Sequence, residues 1–238
     1  MTLSTSTLGS LVSYWANRLG VDDDAFDRTG VTVGSADEGG IQMFQRGETL
    51  IVGVSEPHVV AVRKRFTDCD SSVVTEENAL RRRFDSLGTV TAVFGPTFYG
   101  YADEGSFVPV ASDARLLTED DATAYEQFRT KVPNEEWENG GPEFNPGRIV
   151  GLFDDDELIA AAGYTVWDDF LAHIAVVVHP NHRGKGHGRS VVSRATEQAL
   201  SDGLLPQYRT SDEWPWSVAL AESLGFERFV TATLVRLE

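Results

Sequence analysis

Twelve residues, His179-Pro-Asn-His-Arg-Gly-Lys-Gly-His-Gly-Arg-Ser190, constrain this chain more than any other stretch. Leu171-Ala-His-Ile-Ala-Val-Val-Val178 precedes them, a nearly continuous apolar run dense in valine. Such a run reads as a strand buried on both faces. Arg189-Ser-Val-Val-Ser-Arg-Ala-Thr-Glu-Gln-Ala-Leu200 follows. There Val191, Val192, Ala195, Ala199 and Leu200 share one face of a 3.6-residue period, which predicts an amphipathic helix. The layout is strand, glycine-rich loop, helix start, and it demands an α/β architecture around it.

That layout favours an anion. The first N–H groups of a helix have no intrahelical partner, and the helix dipole places partial positive charge there. Gly184, Gly186 and Gly188 carry no Cβ, which lets a ligand approach the backbone. Arg183, Lys185 and Arg189 add positive charge in a chain that is otherwise strongly acidic. A phosphate or pyrophosphate is the expected guest. A tight glycine turn between strand and helix is the alternative.

The spacing is not Gly-x-x-x-x-Gly-Lys-Ser/Thr, so a P-loop fails. It is not Gly-x-Gly-x-x-Gly with a following ribose-binding acid, so a dinucleotide fold is weak. It fits Arg-x-x-Gly-x-Gly, as Arg183-Gly-Lys-Gly186-His-Gly188, with the lead-in Val178-His-Pro180. In this the loop resembles the acetyl-CoA loop of the GNAT superfamily of N-acetyltransferases. The resemblance implies acetyl-CoA as cosubstrate and no metal. It implies a pyrophosphate held by Arg183, Gly184, Lys185, Gly186, His187, Gly188, Arg189 and Ser190. It also implies a pantetheine arm along Val176, Val177 and Val178.

Composition narrows the partners. At 238 residues the chain is long enough for one large domain or two small ones. Its formal net charge is −17, and lysine occurs only at Lys64, Lys131 and Lys185. Nucleic acid is excluded as a partner, since its phosphates would be repelled. The acidity reads either as a field that draws a cationic substrate or as a solvated surface suited to high salt, a halophilic trait. Dispersed acids and arginine in place of lysine favour the second. Cys69 is the only cysteine, so no internal disulfide and no thiolate cluster is expected. No long apolar run or secretory segment is visible, so a soluble, cytoplasmic protein without membrane partners is expected. A homodimer is compatible with this reading.

The chain divides on pattern into 1–112, a small α/β unit, and 113–238. In the first part, 8–19 reads as a helix, 41–45 and 49–54 as strands about Gly47, and Pro57 as the start of a helix through Phe66. A helix from Thr75 ends at Gly88, and 89–94 is a strand. Gly95–Tyr101 reads as an aromatic loop or strand end, in which Phe98, Tyr99 and Tyr101 line a pocket or form core. From Asp113 the order is similar to the GNAT fold element by element: a central mixed sheet flanked by helices, closed by Leu224-Gly225-Phe226.

Candidate chemistry outside the loop is sparse. His173 lies on the central strand and Glu138 with Trp137 on the segment that shapes the acceptor pocket in the family. Tyr164, Trp167 and Tyr208 are candidates for lining that pocket or for core. His179, His182 and His187 crowd the loop, yet alternate with glycines and lack a converging acid, which argues against a metal. The family's acidic tyrosine on the last helix falls at Ala221, the asparagine near that helix start at Trp214, and its basic glutamate at Ala172. His173 is therefore the candidate base, with Glu138 the alternative. The implied activity is direct attack of an amine on the thioester in a ternary complex. The alternative is a non-catalytic acyl-CoA-binding module on the same fold.

Overall fold

The computed structural model describes residues 2–36, 39–67 and 69–238. The protein is mixed α/β, and its compact units are not consecutive in sequence. One comprises residues 100–209 and 216–227 with Thr2 and Leu3; the other comprises residues 4–99, 210–215 and 228–238. The boundary read at 112/113 falls inside the first of these.

The second unit opens with α1 (Thr5–Leu19), whose first turn is capped by Ser4 Oγ accepting from Thr7 N at 3.1 Å. The strands β1 (Gly30–Ser35), β2 (Ile41–Arg46) and β3 (Thr49–Val54) follow, and a last strand β10 (Glu227–Leu237) joins them from the end of the chain. β1 and β3 are parallel; β3 with β2 and β2 with β10 are antiparallel. Every residue of β3 is buried, because both faces are covered. Leu50, Val52 and Val54 face a core shared with Val62 of α2 (Val59–Arg65) and with Leu80 and Phe84 of α3 (Glu77–Phe84). On the opposite face, a Cβ on Gly53 would meet the Leu19 side chain of α1 at 2.8 Å. β1 shows apolar alternation only over Val31-Thr-Val33 between two glycines, too short a pattern to announce a strand in the sequence. β4 (Val90–Tyr101) is one strand of 12 residues that runs on through the segment read as a loop or strand end, and Phe98, Tyr99 and Tyr101 are core.

The first unit carries a sheet in the order β9, β8, β7, β6, β5: β9 (Leu205–Ser211), β8 (Leu171–Val178), β7 (Glu157–Trp167), β6 (Ile149–Asp154) and β5 (Arg115–Leu116). Only the β8–β9 pair is parallel. The β7–β8 turn places Asp168 and Asp169 at φ 52° and 51°, the mirror-image turn that matches strand twist. Helices α4 (Ala122–Lys131) and α5 (Asn134–Gly140) cover one face. Their Tyr125, Phe128 and Trp137 pack with Ile149, Ala161 and Val177. Helix α6 (His187–Ser201) covers the other face, burying Val191, Val192, Ala195 and Ala199. Helix α7 (Pro215–Ser223) ends at Gly225, whose φ is 84° and where a Cβ would meet the Ser106 carbonyl at 2.0 Å. Only glycine closes that turn. No helix among the described residues is long and apolar enough to cross a membrane.

Candidate functional site

The strand, loop and helix stand as the sequence requires. β8 runs to Val178, a short turn spans Pro180–His182, and α6 begins at His187. The N-cap of α6 is Gly186 at φ 86°, and no side chain caps the helix. Its first N–H groups are therefore open to an external acceptor, which is the condition for anion binding. Gly184 also has positive φ, and a Cβ built on either glycine touches nothing within 4 Å. Gly188 differs: a Cβ there would press on Leu220 at 3.1 Å and on Val178 at 3.3 Å. Its small size lets α6 pack closely against Leu220 of α7 and Val178 of β8.

The loop cations are unequally engaged. Arg183 donates from Nε to Val178 O at 3.2 Å and forms an ion pair with Glu136 of α5. Arg189 donates to Ser223 O at 3.2 Å, tying the start of α6 to the end of α7. Lys185 is exposed, with no hydrogen bond or ion pair among the described residues. His179 Nδ1 accepts from Asn181 N at 3.2 Å and so caps the turn; burial lowers its pKa. The rings of His179 and His182 lie 5.2 Å apart, and those of His182 and His187 6.4 Å. Among the described residues no group of three or more His, Cys, Asp or Glu is placed to hold a metal ion.

Beside the loop, β8 leaves its neighbour. The parallel ladder to β9 covers Leu171–Ile174 against Leu205–Tyr208 and stops there, although both strands continue. Past Ile174, Ala175 to Val178 carry backbone groups without a ladder partner on that side among the described residues. An extended polar chain fits such an edge by adding the missing hydrogen bonds. Val176 and Val178 are half-buried, whereas Val177 belongs to the core under α4.

His173 is the last residue but one of the β8–β9 ladder, opposite Gln207 on β9 and Thr165 on β7. Its ring stacks on Trp167, with centroids 4.5 Å apart and planes at 28°, and the Arg209 guanidinium sits 5.4 Å from the other ring system of that pair, the Trp167 indole. Burial, and then the Arg209 charge, push the imidazole down to about 4, against a smaller upward pull from Gln207. It is neutral at pH 7.

The other expected site residues separate by strand alternation. Tyr164 and Tyr208 share register with Ile174, one residue from His173, and so project from the opposite face. Tyr164 donates to Asp202 Oδ2 at 2.5 Å at the end of α6, and Tyr208 shares a 3.0 Å hydrogen bond with Ser217 of α7. Burial raises the pKa of both phenols. Trp137 is on the His173 side but packs edge-on against Tyr125 and Phe128. Glu138 is exposed on α5. The geometry thus groups His173 with Trp167, Gln207 and Arg209, and leaves Tyr164 and Tyr208 in the packing under α6 and α7. Gln207, Arg209 and Glu136 were not expected from the sequence. The strand pairing that brings the first two to His173 is non-local and leaves no mark in spacing.

The chain is similar to known proteins in one respect. The acetyltransferase (GNAT) family profile matches residues 114–226. No curated protein sequence matches. Among solved structures, a GNAT-family acetyltransferase from Colwellia psychrerythraea is 12% identical, with a TM-score of 0.53, covering 100% of this chain and 99% of that one. A GCN5-related N-acetyltransferase from Kribbella flavida is 16% identical, with a TM-score of 0.53, covering 98% and 96%. At such identities the likeness is one of fold, and it extends over the whole chain. Residues 114–226 of this protein are an acetyltransferase domain of the GNAT family.

Proposed function

We propose that the protein is an acetyl-CoA-dependent N-acetyltransferase that acetylates an amine by direct attack in a ternary complex. One observation carries this reading: the uncapped start of α6 at Gly186 lies directly after the β8 edge that β9 vacates. The first feature suits a pyrophosphate and the second an extended pantetheine arm. When bound, the thioester supplies an activated acyl group, so the chain needs no nucleophile of its own.

What the residues must do is position the amine and take its proton. An alkyl ammonium has a pKa near about 10, far above the His173 imidazole, so His173 does not strip the ground-state ammonium. A neutral amine becomes strongly acidic at nitrogen as the N–C bond forms, and His173 accepts the proton at that stage. Glu138, solvated on α5, is the alternative acceptor. The acceptor class is an amine on a small molecule or peptide.

The test pairs binding with turnover. Gly186→Val puts a β-branched residue at φ 86°, a strain of about 1–2 kcal/mol, with no neighbouring atom to clash. CoA binding by calorimetry is expected to disappear while circular dichroism stays native; wild-type affinity would refute the site. His173→Ala is expected to lower turnover by about 10²-fold with acetyl-CoA affinity unchanged. Full loss in Glu138→Gln with none in His173→Ala assigns the proton to the glutamate. A rival reading, an acyl-CoA-binding module without catalysis, is favoured by the low basicity of His173. Acetylation of any amine in a panel removes it.

A further inference from the structure

His173 and Gln207 present an unusual pair of buried atoms. His173 Nδ1 is sealed from solvent and, among the described residues, has no well-formed hydrogen bond; the same holds of Gln207 Oε1, although the Gln207 side chain lies close enough to the imidazole to favour its protonated form. The residues are paired in register on parallel strands, so both side chains rise from one face of the sheet. Gln207 is wholly buried. Its amide nitrogen donates to the Tyr101 hydroxyl at 2.5 Å, which fixes the direction of the amide plane and turns the oxygen away from Tyr101. Orphaned buried polar atoms forfeit their hydration without compensation, so two on paired residues need an explanation. The imidazole has one donor in its neutral form, and either nitrogen can carry it. If Nδ1 carries the proton, one contact between the two side chains satisfies both orphans. If Nε2 carries it, both sealed atoms are left as acceptors without a donor.

We propose that Gln207 is a positioning residue: held by Tyr101, its Oε1 keeps the proton of neutral His173 on Nδ1 and leaves the lone pair on Nε2 for the acceptor amine. This rests on the reading of His173 as the base. The stack on Trp167 fixes the plane of the ring, and the amide decides which nitrogen is basic. During attack the amine N–C bond forms, the thioester C–S bond breaks with its electrons leaving on sulfur, and the amine proton passes to Nε2. The resulting imidazolium keeps its Nδ1–H on the amide oxygen until Nε2 releases its proton to water. A glutamine does this without a second buried charge. A carboxylate in its place would pair with the ring and hold it protonated, and it would bury a second ion beside it.

The experiment is a long-range proton–nitrogen spectrum of the full chain labelled with ¹⁵N-histidine, recorded at pH 7.5 and assigned by the signals lost in His173→Gln. The wild type is expected to show Nδ1 as the protonated and Nε2 as the bare nitrogen. Gln207→Leu is expected to shift the population to the Nε2–H form and to lower kcat by about tenfold with KM for acetyl-CoA unchanged. Tyr101→Phe removes only the anchoring hydroxyl and is expected to shift the tautomer part of the way, which covers the case of a Gln207→Leu chain that does not fold. A wild type in the Nε2–H form, or a tautomer that neither variant moves, overturns the proposal. A Nδ1–H tautomer alongside full turnover in His173→Ala would overturn the base and leave the hydrogen bond standing, so the two failures are distinct.

Discussion

Arg183, the first cation of the glycine loop, is held in an ion pair by Glu136 on α5. Both side chains are 45% exposed, so the pair is screened and worth about 0.2–1 kcal/mol. A pyrophosphate at the start of α6 competes with Glu136 for this guanidinium. Glu136→Gln is therefore expected to tighten CoA binding about two- to fivefold in dilute buffer, and the gain is expected to shrink at high ionic strength. Isothermal calorimetry at two salt concentrations measures this. Weaker binding in the variant would show that Glu136 orients the arginine for the phosphate instead.

The strand, loop and helix around Arg183 were legible in the sequence because each is a local pattern: a valine run, three glycines in register, a 3.6-residue apolar face. The salt bridge was not, since it joins residues 47 positions apart. The same distinction separates the tyrosines from the histidine. Counting along β7, β8 and β9 places Tyr164, His173 and Tyr208 near one another, yet a one-residue offset puts His173 on the other side of the sheet. Which face is which depends on the helices packed there, and only the fold supplies that.

Tyr164 and Tyr208 supply a prediction of the opposite kind. Their hydroxyls are engaged by Asp202 and Ser217 within the packing of the first unit. Tyr164→Phe leaves Asp202 with its bond from Gln198, at 2.9 Å, and is expected to cost about 1 kcal/mol of stability. KM for the amine and kcat are expected to stay within about twofold for both Tyr→Phe variants. Chemical denaturation and steady-state kinetics give the two readouts. A large rise in the amine KM would move either tyrosine into the acceptor pocket.

Salt dependence follows from charge. At −17 the folded chain repels itself, and ions screen that repulsion over about 3 Å at 1 M against about 10 Å at 0.1 M. The melting temperature is expected to rise between dilute buffer and molar KCl. A steady fall over the same range would reject a surface adapted to high salt.

The pH dependence of stability isolates His173. Its ordinary pKa of 6.5 applies to the unfolded chain, and in the fold it drops to about 4. As pH falls, the unfolded chain takes up this proton first. Folding stability is therefore undiminished above pH 6.5, declines below it, and stops declining under the folded value. At about 1.4 kcal/mol per pH unit, the loss between pH 7 and pH 5 is about 2 kcal/mol. Carboxylates contribute their own losses as pH falls; Asp121, held low chiefly by its bonds from Arg115, is one. His173→Gln keeps those contributions and removes only the imidazole, so the quantity to measure is the difference between wild type and variant in urea unfolding at each pH. That difference is expected to move by about 2 kcal/mol against the wild type from pH 7 to pH 5. A difference that stays constant would mean that the imidazole titrates alike in both states, and the dry site around it would have to be abandoned.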